Sequence, residues 1–161
     1  MDLIKNWDEI RLHFKKSFRS NLHVAIASVN ADQQPTTTPI GSFFLNKDQT
    51  GFYFEKFTRK LPQNAAINKK VCVLAVNSNK WFWVKSIFKG QFSDPPAIRL
   101  YGELGERRKA TALEIRALQR RVRATSRLKG HRELWEDLTM IRMIHFTKAE
   151  NMKIGKMTKT V

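Results

Sequence analysis

The chain has 161 residues, and its 30 lysines and arginines against 14 aspartates and glutamates give a net charge of +16. This length suits one domain with a hydrophobic core, and no apolar run is long enough to cross a bilayer. The N-terminus lacks a signal-peptide pattern and Cys72 is the single cysteine, so we expect a cytoplasmic protein without an internal disulfide. The charge predicts an anionic partner without identifying it.

Residues 1–20 contain a predicted amphipathic helix, over 6–18. Asn6 and Glu9 have the spacing of a capping box. Four large apolar residues recur at helical spacing and share one face: Trp7, Ile10, Phe14 and Phe18. We therefore expect this helix to pack against the rest of the domain.

Two β-rich runs follow, over 22–29 and 35–45. Pro35 and Pro39 in the second run predict an edge strand or a bulge, because proline donates no backbone hydrogen bond. Three threonines and Gly41 make the same run poor in large side chains, so a flat ligand could approach its backbone closely. An ordinary threonine-rich edge strand explains these residues equally well.

The segment 51–77 predicts a strand, a basic turn, a short helix and a second strand. Thr58, Arg59 and Lys60 lie in the turn, and Pro62 suits the first turn of the helix. A hydroxyl and two cations beside a helix start would suit a phosphate. On these residues alone, a solvated basic turn is an equally good interpretation.

Residues 80–88 carry more aromatic surface than a monomer needs, and we expect much of it at a subunit interface. Trp81 and Trp83 could instead stack on a ring-shaped ligand, although plain packing is the commoner role of such residues. A further strand is predicted at 97–106.

A basic helix is predicted at about 111–127, opened by a capping box between Thr111 and Glu114. Between residues 107 and 132 the sequence has ten lysines or arginines and one acid, Glu114. A solvated helix face is the usual explanation of such a bias, and contact with phosphates is the functional one. Strand-like composition returns over 140–154.

The sequence shows no metal site and no catalytic motif. Cys72 lies in an apolar strand, where a free cysteine behaves as a small hydrophobe. The four histidines are scattered without a carboxylate or cysteine at ligand spacing: His13, His23, His131 and His145. Any redox chemistry would therefore come from a bound cofactor, and we name no catalytic residue.

Three blocks follow one another in a specific order: LHVAIASVNADQQPTTTPIGS, GFYFEKFTRKLPQNAAINKKVCVLAV and RLYGELGE. This order resembles the pyridoxamine 5′-phosphate oxidase-like family, the FMN-binding split β-barrels, over about residues 22–157. The resemblance implies a single domain over 1–161, mainly β with flanking helices (α+β). Its core would be a six-stranded antiparallel split β-barrel of the FMN-binding type.

The resemblance also implies a homodimer with two FMN clefts at its interface. Thr58, Arg59 and Lys60 would bind the FMN phosphate, and Asn64 in the short helix would assist them. The second strand and its neighbour would line the flavin ring through Thr37, Thr38, Pro39, Ile40, Gly41, Phe54 and Glu55. Trp81 and Trp83 are the candidate aromatic cover.

The implied function is FMN-dependent redox of a small molecule, with a substrate or a nicotinamide donor as the partner. One alternative keeps the fold but exchanges FMN for deazaflavin or haem, and for haem His23, His131 or His145 would have to reach the cleft. The other is a non-enzymatic nucleic-acid-binding module that uses the arginines between 116 and 127. A pyridoxamine phosphate oxidase proper is disfavoured, because the C-terminus lacks a matching basic substrate motif.

Overall fold

The computed structural model describes residues 1–159, and its strands form one antiparallel sheet. The strands are β1 (Val24–Val29), β2 (Pro35–Ile40), β3 (Phe43–Leu45), β4 (Thr50–Phe54), β5 (Lys70–Val76), β6 (Ala97–Lys109) and β7 (Met140–Asn151). Their order across the sheet is β2-β1-β5-β6-β7-β4-β3. Because only two residues separate β2 from β3, the two outermost strands are consecutive in the chain, and the sheet curls into a barrel.

The predicted fold class is confirmed, with seven strands in place of the predicted six. The run 35–45, predicted as one strand, bends at Gly41 and Ser42, so that β2 pairs with β1 and β3 pairs with β4. The Ser42 hydroxyl donates to the Phe54 carbonyl and accepts from the Phe54 amide, both at 3.2 Å. These bonds replace the strand pairing that is lost at the bend.

Strands β6 and β7 form the longest pair, and two irregularities interrupt their register. One lies between Tyr101 and Gly102. A Cβ on Gly102 would collide with the backbone carbonyl of His145, so this close approach requires glycine.

The helices are α1 (Trp7–Asn21), α2 (Lys60–Ala65), α3 (Lys80–Lys89), α4 (Ala112–Val122) and α5 (Lys129–Trp135). The capping box predicted at Thr111 and Glu114 is confirmed, with both of its hydrogen bonds present. The one predicted at Asn6 and Glu9 is wrong. Asn6 has φ −101° and ψ 15°, outside the extended region typical of a capping residue. Its side-chain amide donates to the Glu9 carboxylate, so neither hydrogen bond of a capping box is formed by these groups.

The basic helix is shorter than the predicted span of 111–127. It ends at Val122, and a 3₁₀ turn over Arg123–Thr125 follows. The Thr125 hydroxyl donates to the Val122 carbonyl at 2.9 Å, which satisfies an acceptor at the helix end. The next helix, α5, begins at Lys129 and includes Gly130.

Two apolar clusters hold the fold together. The larger one joins α1 to the barrel interior and includes Trp7, Ile10 and Phe14. The smaller one packs α4 against the other face of β4 and β7 and consists of Phe52, Phe54, Leu118, Leu138, Ile141 and Met143. Strand β4 is therefore covered on both faces, which explains its continuous apolar run.

Candidate cofactor cleft

The predicted phosphate-binding residues lie between the end of β4 and the start of α2, and we call Thr58, Arg59 and Lys60 the phosphate cradle. Arg59 is the N-cap residue of α2 and Lys60 is its first residue, and both are exposed. Among residues 1–159 neither cation has a carboxylate partner within ion-pair distance. Both cations are therefore available to an anion from solvent.

The hydroxyl of Thr58 is buried, and it has no hydrogen-bond partner of acceptable geometry in the described chain. Its polar neighbour is the Tyr53 phenol, which donates to the Glu55 carboxylate at 3.2 Å. Buried hydroxyls are normally hydrogen-bonded, so a buried hydroxyl without such a partner, directly before two exposed cations in the sequence, is unusual. Burial and the negative charge of Glu55 raise the pKa of Tyr53 far above its ordinary value, so this neighbour stays neutral.

Glu55, predicted to line the flavin ring, is the centre of a polar network behind the cradle. It accepts two hydrogen bonds from Arg142, at 2.6 and 3.1 Å, and pairs with Arg107 at 3.2 Å. The bond to Glu55 raises the pKa of Arg142. Two arginines and one carboxylate leave a net positive charge at this end of β4, and they fix the strand from which the cradle begins.

Asn64, the other predicted residue of the short helix, is buried. Its amide donates to the hydroxyls of Ser28 at 2.9 Å and Thr36 at 2.8 Å. These bonds tie α2 to β1 and β2 and place the cradle beside the edge strand. In this arrangement the Asn64 amide positions the helix, and its direct contact with a phosphate stays a prediction.

The predicted ring-lining segment is the exposed edge of the sheet. Thr37 and Pro39 are exposed and Thr38 is half-buried, whereas Ile40 is only 4% exposed and belongs to the larger core cluster. Gly41 lies at the bend, where an added Cβ would be 3.3 Å from the Leu22 carbonyl and the Trp135 ring.

Phe54 is only 3% exposed and packs edge-on against Phe44 and Phe52 beneath α4. Ile40 and Phe54 can therefore offer a ligand their backbone but not their side chains. Thr37 and Thr38 remain the residues of this set that present side-chain hydroxyls at the surface.

The two tryptophans of α3 have different surroundings. The Trp83 indole donates to the Asn77 carbonyl at 2.7 Å and packs edge-on against Phe92, so it serves local packing. Trp81 is 81% exposed, and Val84, Ile87 and Phe88 extend the same apolar surface. Helix α3 thus presents an uncovered apolar face.

The structure brings the cradle and β2 together and joins them through residues that the sequence analysis did not identify. Ser28, Thr36 and Arg142 each hold a predicted site residue in place. Thr36 belongs to the threonine run that was noted, but Arg142 comes from β7, and no spacing in the sequence connects it with Glu55, 87 positions earlier.

Hydrogen bonds and ion pairs join the histidines to residues outside the predicted cofactor set. His13 is buried, with Nε2 3.0 Å from the Ala75 carbonyl, and burial lowers its pKa. His145 is exposed, 3.7 Å from Glu106, and His131 contacts Thr125. In the part of the chain that the structure describes, no group of three potential metal ligands occurs and no helix is long and apolar enough to span a membrane.

The fold was compared with solved structures. An FMN-binding protein from Syntrophomonas wolfei superposes with a TM-score of 0.59 and 15% identity, covering 93% of this chain and 94% of that one. A Lactobacillus delbrueckii protein proposed to be a pyridoxamine 5′-phosphate oxidase gives 0.52 and 15%, covering 88% and 91%. The chain has the FMN-binding split-barrel fold. The fold expected from the sequence is thus confirmed.

The same fold also occurs in HutZ, the haem storage protein from Vibrio cholerae, with a TM-score of 0.52 and 10% identity over 87% of this chain and 92% of that one. No protein-family model matches this sequence, and no curated protein matches it. At these identities the neighbours define the architecture, and the cofactor has to be argued from the residues of this chain.

Proposed function

We propose that this split barrel binds FMN in the cofactor cleft, by which we mean the phosphate cradle together with the edge segment 37–41 and residues 54–55. The observation that carries the proposal is the orphaned, buried hydroxyl of Thr58 beside two cations without carboxylate partners. A phosphate monoester dianion would supply the missing acceptor to Thr58 and the missing countercharges to Arg59 and Lys60.

The residues present fit the remaining parts of such a cofactor. The exposed edge of β2 offers backbone groups and the hydroxyls of Thr37 and Thr38 to a flat polar ring. Prolines at both ends of this strand limit its pairing with another strand, so the edge stays open. The Glu55 network adds positive charge beneath the cleft, which favours an electron-rich ring.

A bound flavin supplies hydride chemistry, and we propose that the protein is an oxidoreductase acting on a small molecule or a nicotinamide donor. The chain contributes binding, orientation and electrostatics. Tyr53 stays protonated because it is buried beside Glu55, so it serves as a hydrogen-bond donor within the network and not as a base.

The decisive experiment is a titration of the protein with FMN, followed by flavin fluorescence. The Arg59→Ala/Lys60→Ala variant should bind FMN on the order of a hundredfold more weakly, because two charge-assisted contacts to the phosphate are lost. The matched control is Lys69→Ala/Lys70→Ala, which removes two exposed cations at the start of β5. Equal affinity in the two folded double variants would refute the cradle assignment.

We also propose that the protein acts as a homodimer, with cofactor clefts at the interface and the apolar face of α3 in the contact. Trp81 and Phe88 are 81% and 93% exposed, which is a large apolar surface for a monomer. Sedimentation analysis should show a dimer that Trp81→Ser/Phe88→Ser weakens and Leu113→Ser does not. A monomeric wild type would contradict this proposal.

The second candidate is the same cleft with haem, which the fold shared with HutZ favours, or with deazaflavin. The absorption spectrum of the purified protein and the mass of any released chromophore separate these cases. A haem or deazaflavin spectrum would show that this cofactor occupies the cleft in place of FMN, and the fold assignment would stand. A colourless protein that does not take up FMN and binds nucleic acid with steep salt dependence would favour the arginines between 116 and 127 as the functional surface.

A further inference from the structure

A large cavity lies beside the cofactor cleft. It is an open groove of about 1060 Å³ between α1 and the segment from the end of α4 to α5, with β3 as its floor. Gly41 is the one residue that it shares with the predicted cofactor residues. We call it the basic groove.

The floor and walls of the basic groove are apolar. They are formed by Phe14, Phe18, Leu22, Phe43, Phe44, Leu45, Val122, Leu128, Leu134 and Trp135. Several of these side chains face solvent although they are large: Leu22 is 78% exposed and Leu134 is 51% exposed. An apolar surface of this extent normally meets a ligand or a partner.

The rim is cationic, and no aspartate or glutamate is among the lining residues. Helix α1 contributes Arg11, Lys15 and Arg19, and α4 contributes Arg120 and Arg121. Arg11 pairs with the exposed Asp8, one turn away on α1. Within residues 1–159 the other four cations have no carboxylate within ion-pair distance, so the groove carries positive charge without carboxylate partners.

Arg121 shows how this charge is held inside an apolar site. Its guanidinium lies over the rings of Phe44, at 3.5 Å, and Phe18, at 4.3 Å, and donates to the carbonyls of Gly41 and Phe43. The residue as a whole keeps exposed surface, but this end is packed, and desolvation lowers the pKa of Arg121 to about 10. The group therefore remains charged at neutral pH, with ring faces and carbonyl dipoles as its compensation.

We propose that the basic groove binds a long-chain carboxylate, with the aliphatic chain on the apolar floor and the carboxylate at the cationic rim. The apolar floor requires an aliphatic chain, and the cationic rim requires an anionic head group. A nucleic acid would satisfy the cations and could stack bases on the rings, but it would leave the exposed leucines uncovered, and a neutral lipid would leave the cations unpaired. The groove volume of about 1060 Å³ is sufficient for a long-chain carboxylate.

The first test is calorimetric titration of the full chain with dodecanoate, with dodecanol and dodecylamine as head-group controls. We expect saturable binding of dodecanoate, and binding at least about tenfold weaker in Lys15→Gln/Arg120→Gln. The matched control is Arg127→Gln/Lys129→Gln, which removes the same charge from exposed positions of the same region that do not line the groove. Equal binding of the amine, or equal loss in both double variants, would overturn the proposal.

The second test concerns the contact between the apolar floor and the aliphatic chain of the ligand. Leu134→Gln should weaken dodecanoate binding severalfold, whereas Leu113→Gln, an exposed leucine of α4 outside the groove, should not. If Leu134→Gln instead changes the oligomeric state and the wild type binds no dodecanoate, the groove is a subunit contact and the proposal is wrong. Arg59→Ala/Lys60→Ala should leave dodecanoate binding unchanged, so failure of the FMN site and failure of this site are distinguishable.

Discussion

The cofactor cleft and the basic groove differ in how their parts are distributed along the chain. The phosphate cradle consists of three consecutive residues, and the rest of the predicted cleft comes mainly from two short segments nearby. The groove is assembled from three distant segments, 11–22, 41–45 and 120–135. A site built from neighbours in sequence can be inferred from a motif, whereas a site built from distant segments depends on packing.

The two regions also differ in what stabilises them. Hydrogen bonds fix the cleft, through Asn64 and through the Glu55 network. Apolar packing and one guanidinium over two rings shape the groove. Substitutions in the two regions should therefore change the free energy of unfolding by different amounts and with a different dependence on pH. Urea unfolding measures this difference.

The largest effect is expected from Glu55→Ala. This change leaves Arg142, whose side chain is 19% exposed, without its carboxylate and removes the acceptor of Tyr53. We expect the free energy of unfolding in urea to fall by about 3 kcal/mol, because a partly buried cation loses its countercharge. Glu103→Ala, at an exposed site on β6, is the control and should change the free energy of unfolding only slightly. Similar losses in the two variants would show that the network does not stabilise the cleft.

Asn64→Ala should have the next largest effect. It removes two hydrogen bonds and leaves the hydroxyls of Ser28 and Thr36 without their shared donor. A loss of about 2 kcal/mol in urea unfolding is expected, together with weaker FMN binding, because α2 is no longer tied to β1 and β2. Gln63→Ala, an exposed position on the same helix, is the matched control. Unchanged stability of the Asn64 variant would contradict this account.

For the groove, Arg121→Met keeps an apolar stem over the rings and removes the charge. We expect the free energy of unfolding to fall by about 1–2 kcal/mol, because the cation–π contacts and two bonds to carbonyls are lost. Dodecanoate should also bind more weakly, while FMN affinity stays unchanged. Arg116→Met, an exposed arginine on α4, serves as the control. A parallel loss of FMN affinity would show that the two sites are coupled.

The smallest effect is a pH dependence through His13, on the helix that forms one wall of the groove. Burial lowers the pKa of His13 below the ordinary value of 6.5, so the folded chain binds this proton less readily than the unfolded chain. Stability should fall as pH decreases through 6.5 towards the lowered pKa, by less than about 1.4 kcal/mol per pH unit, and should not change above about pH 7.5.

Urea unfolding at several pH values measures this dependence. His13→Gln keeps a donor for the Ala75 carbonyl but does not titrate, so its stability should depend less on pH. His23→Gln, at an exposed position, should behave like the wild type. If His13→Gln keeps the full pH dependence, other groups are responsible for it.

The sequence by itself determined most of the strand and helix segments, the position of the basic residues after β4 and the capping box at Thr111, because each depends on residues within a few positions of one another. Its order of blocks also led to the correct fold. It misjudged the run 35–45, because the bend at Gly41 and Ser42 is stabilised by Phe54 from another strand. It likewise missed the end of α4 at Val122, which the 3₁₀ turn and Thr125 decide.

Only the tertiary structure decided that the Thr58 hydroxyl is buried without a partner, that Asn64 ties α2 to the edge strand, and that Glu55 pairs with Arg142. It also showed that the cations of α1 and α4 surround one apolar groove. Periodicity and propensity are local properties of a chain, whereas burial and charge pairing arise when distant segments meet. The sequence therefore determined most of the elements and two local motifs, and packing decided which side chains remain free to bind.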